Sequence, residues 1–179
     1  MYSKLNSMTN LELKQITKNR EKRTLEFKEA WNALPSNLFE TICAFLNRDG
    51  GVIVLGAHDD GTISSGVNSA CVEQLSKNLA NMSNNSEVLS PTFLLQPEIV
   101  EIDEDMTLFA DKKYAIVVQV PSSSQVHNTK GKIFDRSVDG DYELRTDTEK
   151  RALYLRKSTI YTESTIYPHL KKEHFKDGI

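Results

Sequence analysis

Hydrophobic positions along this chain fall into alternating runs of helical and strand-like spacing. From Thr9 to Lys18, Leu11, Leu13 and Ile16 recur beside polar residues, and Thr9 or Asn10 is placed to accept the first backbone hydrogen bonds of a short amphipathic helix. From Thr24 to Ala30 the period changes to two: Leu25 and Phe27 lie on one side, Thr24, Glu26 and Lys28 on the other, which predicts a half-buried strand. Ser36 is a candidate cap for a helix carrying Leu38, Phe39, Ile42, Cys43, Phe45 and Leu46, which Asn47 and the Gly50-Gly51 pair should stop. The run GVIVLGAHDD at 51–60 reads as a central strand that turns polar at its far end and reverses at Asp60-Gly61.

Beyond it, Val72, Leu75, Leu79 and Met82 predict a second amphipathic helix over 69–82, closed by the polar SNNS. Two longer strands are expected over 93–102 and 113–120, antiparallel neighbours separated by the acidic connection DEDMTLFAD. Short segments near 132–136 and 142–145 flank VDGD and predict either a hairpin or an irregular excursion. A further helix should begin near Asp147 and carry Ala152, Leu153 and Leu155. The expected organisation is one domain over 1–159 of class α/β (α+β), with a mixed, largely antiparallel sheet packed by helices. Residues 160–179, polar with the basic stretch KKEHFK, read as a C-terminal extension or linker.

Composition narrows the function classes. A hydrophobic share of 39% and a charged share of 26% in 179 residues fit one globular domain with its own core. No run approaches the roughly 18 apolar residues a membrane span needs, and the start MYSKLNSMTNLELK lacks the apolar core of a signal peptide, so a cytoplasmic protein is expected. Cys43 and Cys71 show no metal or redox spacing and read as small buried hydrophobes. A net charge of −3 argues against coating nucleic acid by bulk charge, so any such binding must use a local patch. Basic residues cluster at Lys14, Lys18, Arg20, Lys22, Arg23 and Lys28, and again from Lys130 to Lys157.

Three segments carry the candidate chemistry: REKRTLEFKEA at 20–30, ICAFLNRDGGVIVLGAHDDG at 42–61 and KIFDRSVDGD at 132–141. The double glycine lets a helix end through a left-handed turn and enter a strand at once. Asn47 is expected to bond local backbone in that turn, and Gly56 to permit close backbone approach. Glu26 and Lys28 share a polar strand face, an arrangement in which the acid could hold a divalent cation and the lysine could steady a phosphate; the plainer reading is a surface ion pair. His58 and Asp60 share a face at the end of the next strand. Glu21 lies five residues before Glu26, so the two carboxylates meet only if the chain bends near Lys22 or Arg23.

The order of these segments, an acid five residues before LEFK, then AFxNxxGG, then GxxDDG, resembles the Schlafen AlbA-like domain over roughly residues 10–157. AFLNRD stands where members commonly have AFANT, and GAHDDG where GVDDDG is more typical. The resemblance implies a nucleic-acid-binding module, DNA or RNA, of a bacterial transcription regulator, needing no cofactor. The nucleic-acid contacts expected are Lys28, Lys132 and Arg136, the last matching a YxxR-like element, with a salt bridge to Asp139 or Asp141 as its alternative. Arg48 and His58, where the chain departs from the family pattern, add candidate phosphate or metal contacts, and His127 falls where the family often has a Pro-His or Pro-Tyr pair. Alternatively, it implies a Schlafen-type endoribonuclease using Mg²⁺ or Mn²⁺ on Glu21, Glu26 and Asp60, with Lys28 assisting catalysis. A protein-interaction domain without either activity is the third reading. Because Schlafen proteins pair two such units as a cradle, a single unit is expected to form a homodimer. No GxxxxGK[ST] loop is present, so ATP binding has no support.

Overall fold

The structure is a computed structural model that describes residues 8–19, 21–63, 66–102 and 113–163. Its order is α1 (Asn10–Thr17), β1 (Leu25–Lys28), α2 (Leu38–Asn47), β2 (Gly51–Leu55), α3 (Val72–Ser83), β3 (Glu98–Ile102), β4 (Lys113–Val120), β5 (Phe134–Ser137), β6 (Gly140–Glu143) and α4 (Asp147–Glu163). The four-stranded sheet runs β1-β2-β4-β3; β1 and β2 are parallel and the other pairs antiparallel, and β5-β6 form a separate hairpin. This is the expected mixed α+β arrangement. Arg20 and the connection 103–112 lie outside the described residues, as does most of the expected extension. The expected boundary at 159/160 falls inside α4, which continues to Glu163.

Alternation assigns the two faces of the sheet. Ile53, Leu55, Ile116 and Val118 pack with α2 and α3, whereas Leu25, Phe27, Val54, Ala115 and Val117 pack on the other face with Leu13 of α1. Glu26 and Lys28 therefore point to the α2 side, at the sheet's β1 edge.

Several elements depart from the sequence expectation for local reasons. The cap of α2 is Asn37, not Ser36, and its side chain makes no capping bond. Residues 93–97 do not extend β3, because Phe93 N–H donates to Ser83 O and Leu95 N–H to Ser83 Oγ, tying this stretch to the end of α3. On α4, Leu153 is buried while Leu155 is exposed. The capping box on α1 is complete through Thr9 and Glu12, and Thr146 and Glu149 make the equivalent bonds on α4.

The glycine pair after α2 sets up the site. Gly50 has φ +74°, and a Cβ there would meet Val120 O at 2.6 Å. At Gly51 a Cβ would meet the Phe45 ring at 2.7 Å. The pair thus turns the chain and leaves room for the Phe45 ring.

Candidate functional site

The bend that Glu21 needs is present. Lys22 and Leu25 exchange both backbone hydrogen bonds at 3.0 Å, folding the chain back on itself just before β1. Glu21 is thereby carried alongside the strand, where its Oε1 accepts the Phe27 N–H at 2.9 Å. Burial pushes the Glu21 carboxyl above its ordinary value; the Phe27 N–H opposes this, repulsion from Glu26 and Asp59 adds to it, and Lys28 offsets part.

Glu26 is held from two sides. Its Oε1 accepts from Lys28 Nζ at 3.0 Å and its Oε2 from Arg136 Nη2 at 2.6 Å. Arg136 is 3% exposed and spends its guanidinium inside the protein: Nε donates to Arg23 O, Nη1 to Asp141 at 2.6 Å, and Nη2 also to Lys22 O. Its guanidinium carbon lies 4.7 Å from the centre of the Phe45 ring. One arginine thus clamps the turn before β1, the strand's acid and the β5-β6 hairpin to the end of α2.

The expected triad of Glu21, Glu26 and Asp60 is not assembled. Asp60 is exposed and its Oδ1 accepts the Thr62 N–H at 2.8 Å, closing a local turn that also holds its carboxyl below the ordinary value. Asp59 takes its place as the acidic neighbour of Glu21. Among the described residues, no three His, Cys, Asp or Glu side chains are grouped so as to hold a metal ion. With both oxygens of Glu26 already bound, these residues do not fit a divalent cation. His58 lies 2.7 Å from Glu29.

The basic residues expected to contact phosphate differ in how far the fold exposes them. Lys28 is buried against Glu26, and Arg136 makes four hydrogen bonds inside the protein. Arg48 makes a bidentate pair with buried Asp135, through Nε at 2.7 Å and Nη2 at 2.7 Å, and Arg156 adds a bond to the same carboxylate. Lys132 remains well exposed at 58%, with Glu143 beside it. Arg23, at 52%, projects from the turn before β1 and meets exposed Asp49, while Arg145, at 81%, lies near Glu143.

Sequence reasoning missed two tethers at the end of α2. Asn47 is fully buried and bonds distant backbone rather than the local turn: its Nδ2 donates to His127 O and Phe134 O, and its Oδ1 accepts His127 N–H, each at 2.8 Å. His127 is 1% exposed, bonded through Nδ1 to Pro91 O and through Nε2 to Ser123 Oγ, so burial holds it below its ordinary value and it is a structural residue. Cys43 lies beside the same backbone, and burial pushes its thiol up to about 12, which removes it as a nucleophile. Cys71 is half-buried, less enclosed than expected.

The second tether is Lys157, 5% exposed, whose Nζ donates to Leu46 O and Ser123 O across the end of α2. Burial, with Arg156 adding repulsion, lowers it to about 8. The unfolded lysine therefore binds its proton more tightly than the folded one, and stability should rise with pH from about 8 toward about 10.5, by at most about 1.4 kcal/mol per unit. Urea denaturation of wild type and Lys157→Met across that window checks this: the wild type should gain stability relative to the variant, and parallel curves would refute it.

The family model described as Schlafen, AlbA_2 matches residues 21–153, so the chain belongs to that family. No curated protein matches it. Among solved structures, it is similar to the DIP2311 protein from Corynebacterium diphtheriae, at 12% identity and a TM-score of 0.45. That match covers 68% of this chain and 25% of the other, so this chain spans about a quarter of that protein's length. No helix among the described residues is long and apolar enough to cross a membrane.

Proposed function

We propose that this domain binds nucleic acid through the rim of the β5-β6 hairpin, without a metal cofactor. Family membership suggests a nucleic-acid-related role, and the observation that carries the binding reading over the nuclease reading is the clamped state of Glu26. An acid neutralised by Lys28 and Arg136 is a scaffold for the turn before β1, not an open ligand for a hydrolytic ion. The scaffold fixes the turn from which Arg23 projects, while Lys132 and Arg145 flank the hairpin beside Glu143. These exposed cations are the phosphate contacts we assign in place of Arg48 and Arg136; Lys28 positions the acid. A role within a bacterial transcription regulator is consistent with such a module.

Arg23→Glu with Lys132→Glu should weaken binding to a labelled duplex or hairpin RNA at low salt by about tenfold or more. Both positions are exposed, so the fold should survive. Lys77→Glu, exposed on α3, should leave affinity unchanged. Equal affinity for wild type and the double variant would reject this rim, and no binding by wild type would favour a protein-interaction domain. Self-association into a two-sided cradle belongs to the same proposal; sedimentation at micromolar concentration should show a dimer, and a strict monomer would remove that part.

A further inference from the structure

A cavity of about 250 Å³ opens beside the hairpin, between the start of α2, the end of α3 and the turn at 129–132. It is smaller than the roughly 300–1,000 Å³ that drug-sized ligands occupy, a size that suits a single planar ring system. Its walls are apolar and partly aromatic, with Phe39, Phe134, Met82 and Val88 among them.

Its polar edge is built from one turn. Thr129 lines the cavity, is 2% exposed, and its Oγ1 is buried with no hydrogen-bond partner. Thr129 Oγ1 has essentially no accessible surface in this state, and a buried hydroxyl left unpaired is destabilising, so a ligand atom that reaches it as the 129–132 turn yields would be favoured. Lys130 and Lys132 line the same cavity. Thr129 and Lys132 exchange both backbone hydrogen bonds, making a two-residue turn whose centre is Lys130 at φ +50° and Gly131 at φ +76°. Such a turn favours Asn-Gly; a lysine in the left-handed region is unfavourable, yet here it places a cation at the cavity edge. Glu40 also lines the cavity and offers an acceptor for an amino group.

Apolar walls, an unpaired hydroxyl, a carboxylate and two ammonium groups match the faces, the edge and the flanking phosphates of a nucleotide. We propose that this cavity takes one unpaired base of a bound strand, with Thr129 Oγ contacting its edge and Lys130 and Lys132 its flanking phosphates. The inference rests on the nucleic-acid reading and deepens it: the domain reads single-stranded or extruded nucleotides, not duplex alone.

The test compares a labelled single-stranded oligonucleotide, as RNA and as DNA, with the same strand in a full duplex. Thr129→Val should melt at the same temperature or higher and lose roughly three- to tenfold in single-strand affinity, with duplex affinity unchanged. Lys130→Asn should likewise gain stability while losing single-strand affinity. Wild-type affinity in both variants, or equal losses on duplex and single strand, would overturn the cavity as a base site. If wild type binds no strand, the proposed function fails by itself. Titration with adenosine 5′-monophosphate followed by NMR then decides the cavity: shifts at Phe39, Val88 and Phe134 keep it, and their absence overturns it.

Discussion

Arg136→Met is expected to destabilise the fold by on the order of 3–5 kcal/mol, the range seen when one partner of a buried ion pair is removed. The guanidinium answers two carboxylates and two backbone carbonyls at once, so its loss strands Glu26 and Asp141 together. Thr41 still donates to Asp141 at 2.6 Å and Lys28 to Glu26, which keeps the loss from being larger. Arg136→Lys should recover a minor part, because an ammonium cannot span four acceptors in a planar fork. Adding Glu26→Gln and Asp141→Asn to Arg136→Met should restore much of the loss, since most of it is the stranding of charge. Urea denaturation reads all of these, and a loss below about 1 kcal/mol for Arg136→Met would contradict the clamp.

Asn47→Ala is the second large effect, expected at on the order of 3 kcal/mol. Its amide satisfies the carbonyls of His127 and Phe134 and the N–H of His127 in a place with no exposure, and each buried polar group left unpaired costs about 1–3 kcal/mol. The effect should be regional as well as global. Hydrogen exchange ought to quicken first between residues 127 and 134, because Asn47 ties that segment to α2, and uniform quickening across the sheet would argue against this role.

What the sequence made legible was periodic or short-range. The alternation around Glu26 and the helical spacing from Leu38 to Leu46 depend on residues within one element, and both strand faces of β1 and the burial of α2 follow from them. The hairpin at VDGD was legible as one of two alternatives, because Gly140, at φ +120°, supplies the positive φ that a turn through Val138 and Asp139 needs at the residue that follows it. The bend bringing Glu21 to Phe27 could be stated as a condition, but the Lys22–Leu25 turn that meets it carries no sequence mark of its own.

The rest depended on contacts across the chain. Arg136 reads as a phosphate contact or as the partner of nearby Asp139 or Asp141; the Asp141 bridge is present, but the meeting with Glu26, 110 positions away, has no mark in KIFDRSVDGD. Arg156 and Lys157 read as members of a basic patch, yet both donate to carbonyls at the end of α2. Asp59 and Asp60 are adjacent and chemically alike, yet Asp60 accepts the Thr62 N–H while Asp59 is the one whose charge acts on Glu21. The cavity beside Thr129 draws on four separate stretches of chain, none of which is distinctive alone.

The measurement that bears most directly on the central claim is the affinity for a structured RNA and its DNA counterpart as a function of salt, in excess chelator and again with Mn²⁺. Binding in chelator is expected, with log affinity falling linearly against log salt at a slope of about −0.9 per duplex phosphate contacted, unaffected by Mn²⁺ and without cleavage. Binding or cleavage that requires Mn²⁺ and disappears in Glu26→Ala would contradict the account, because it would make the clamped acid a metal ligand.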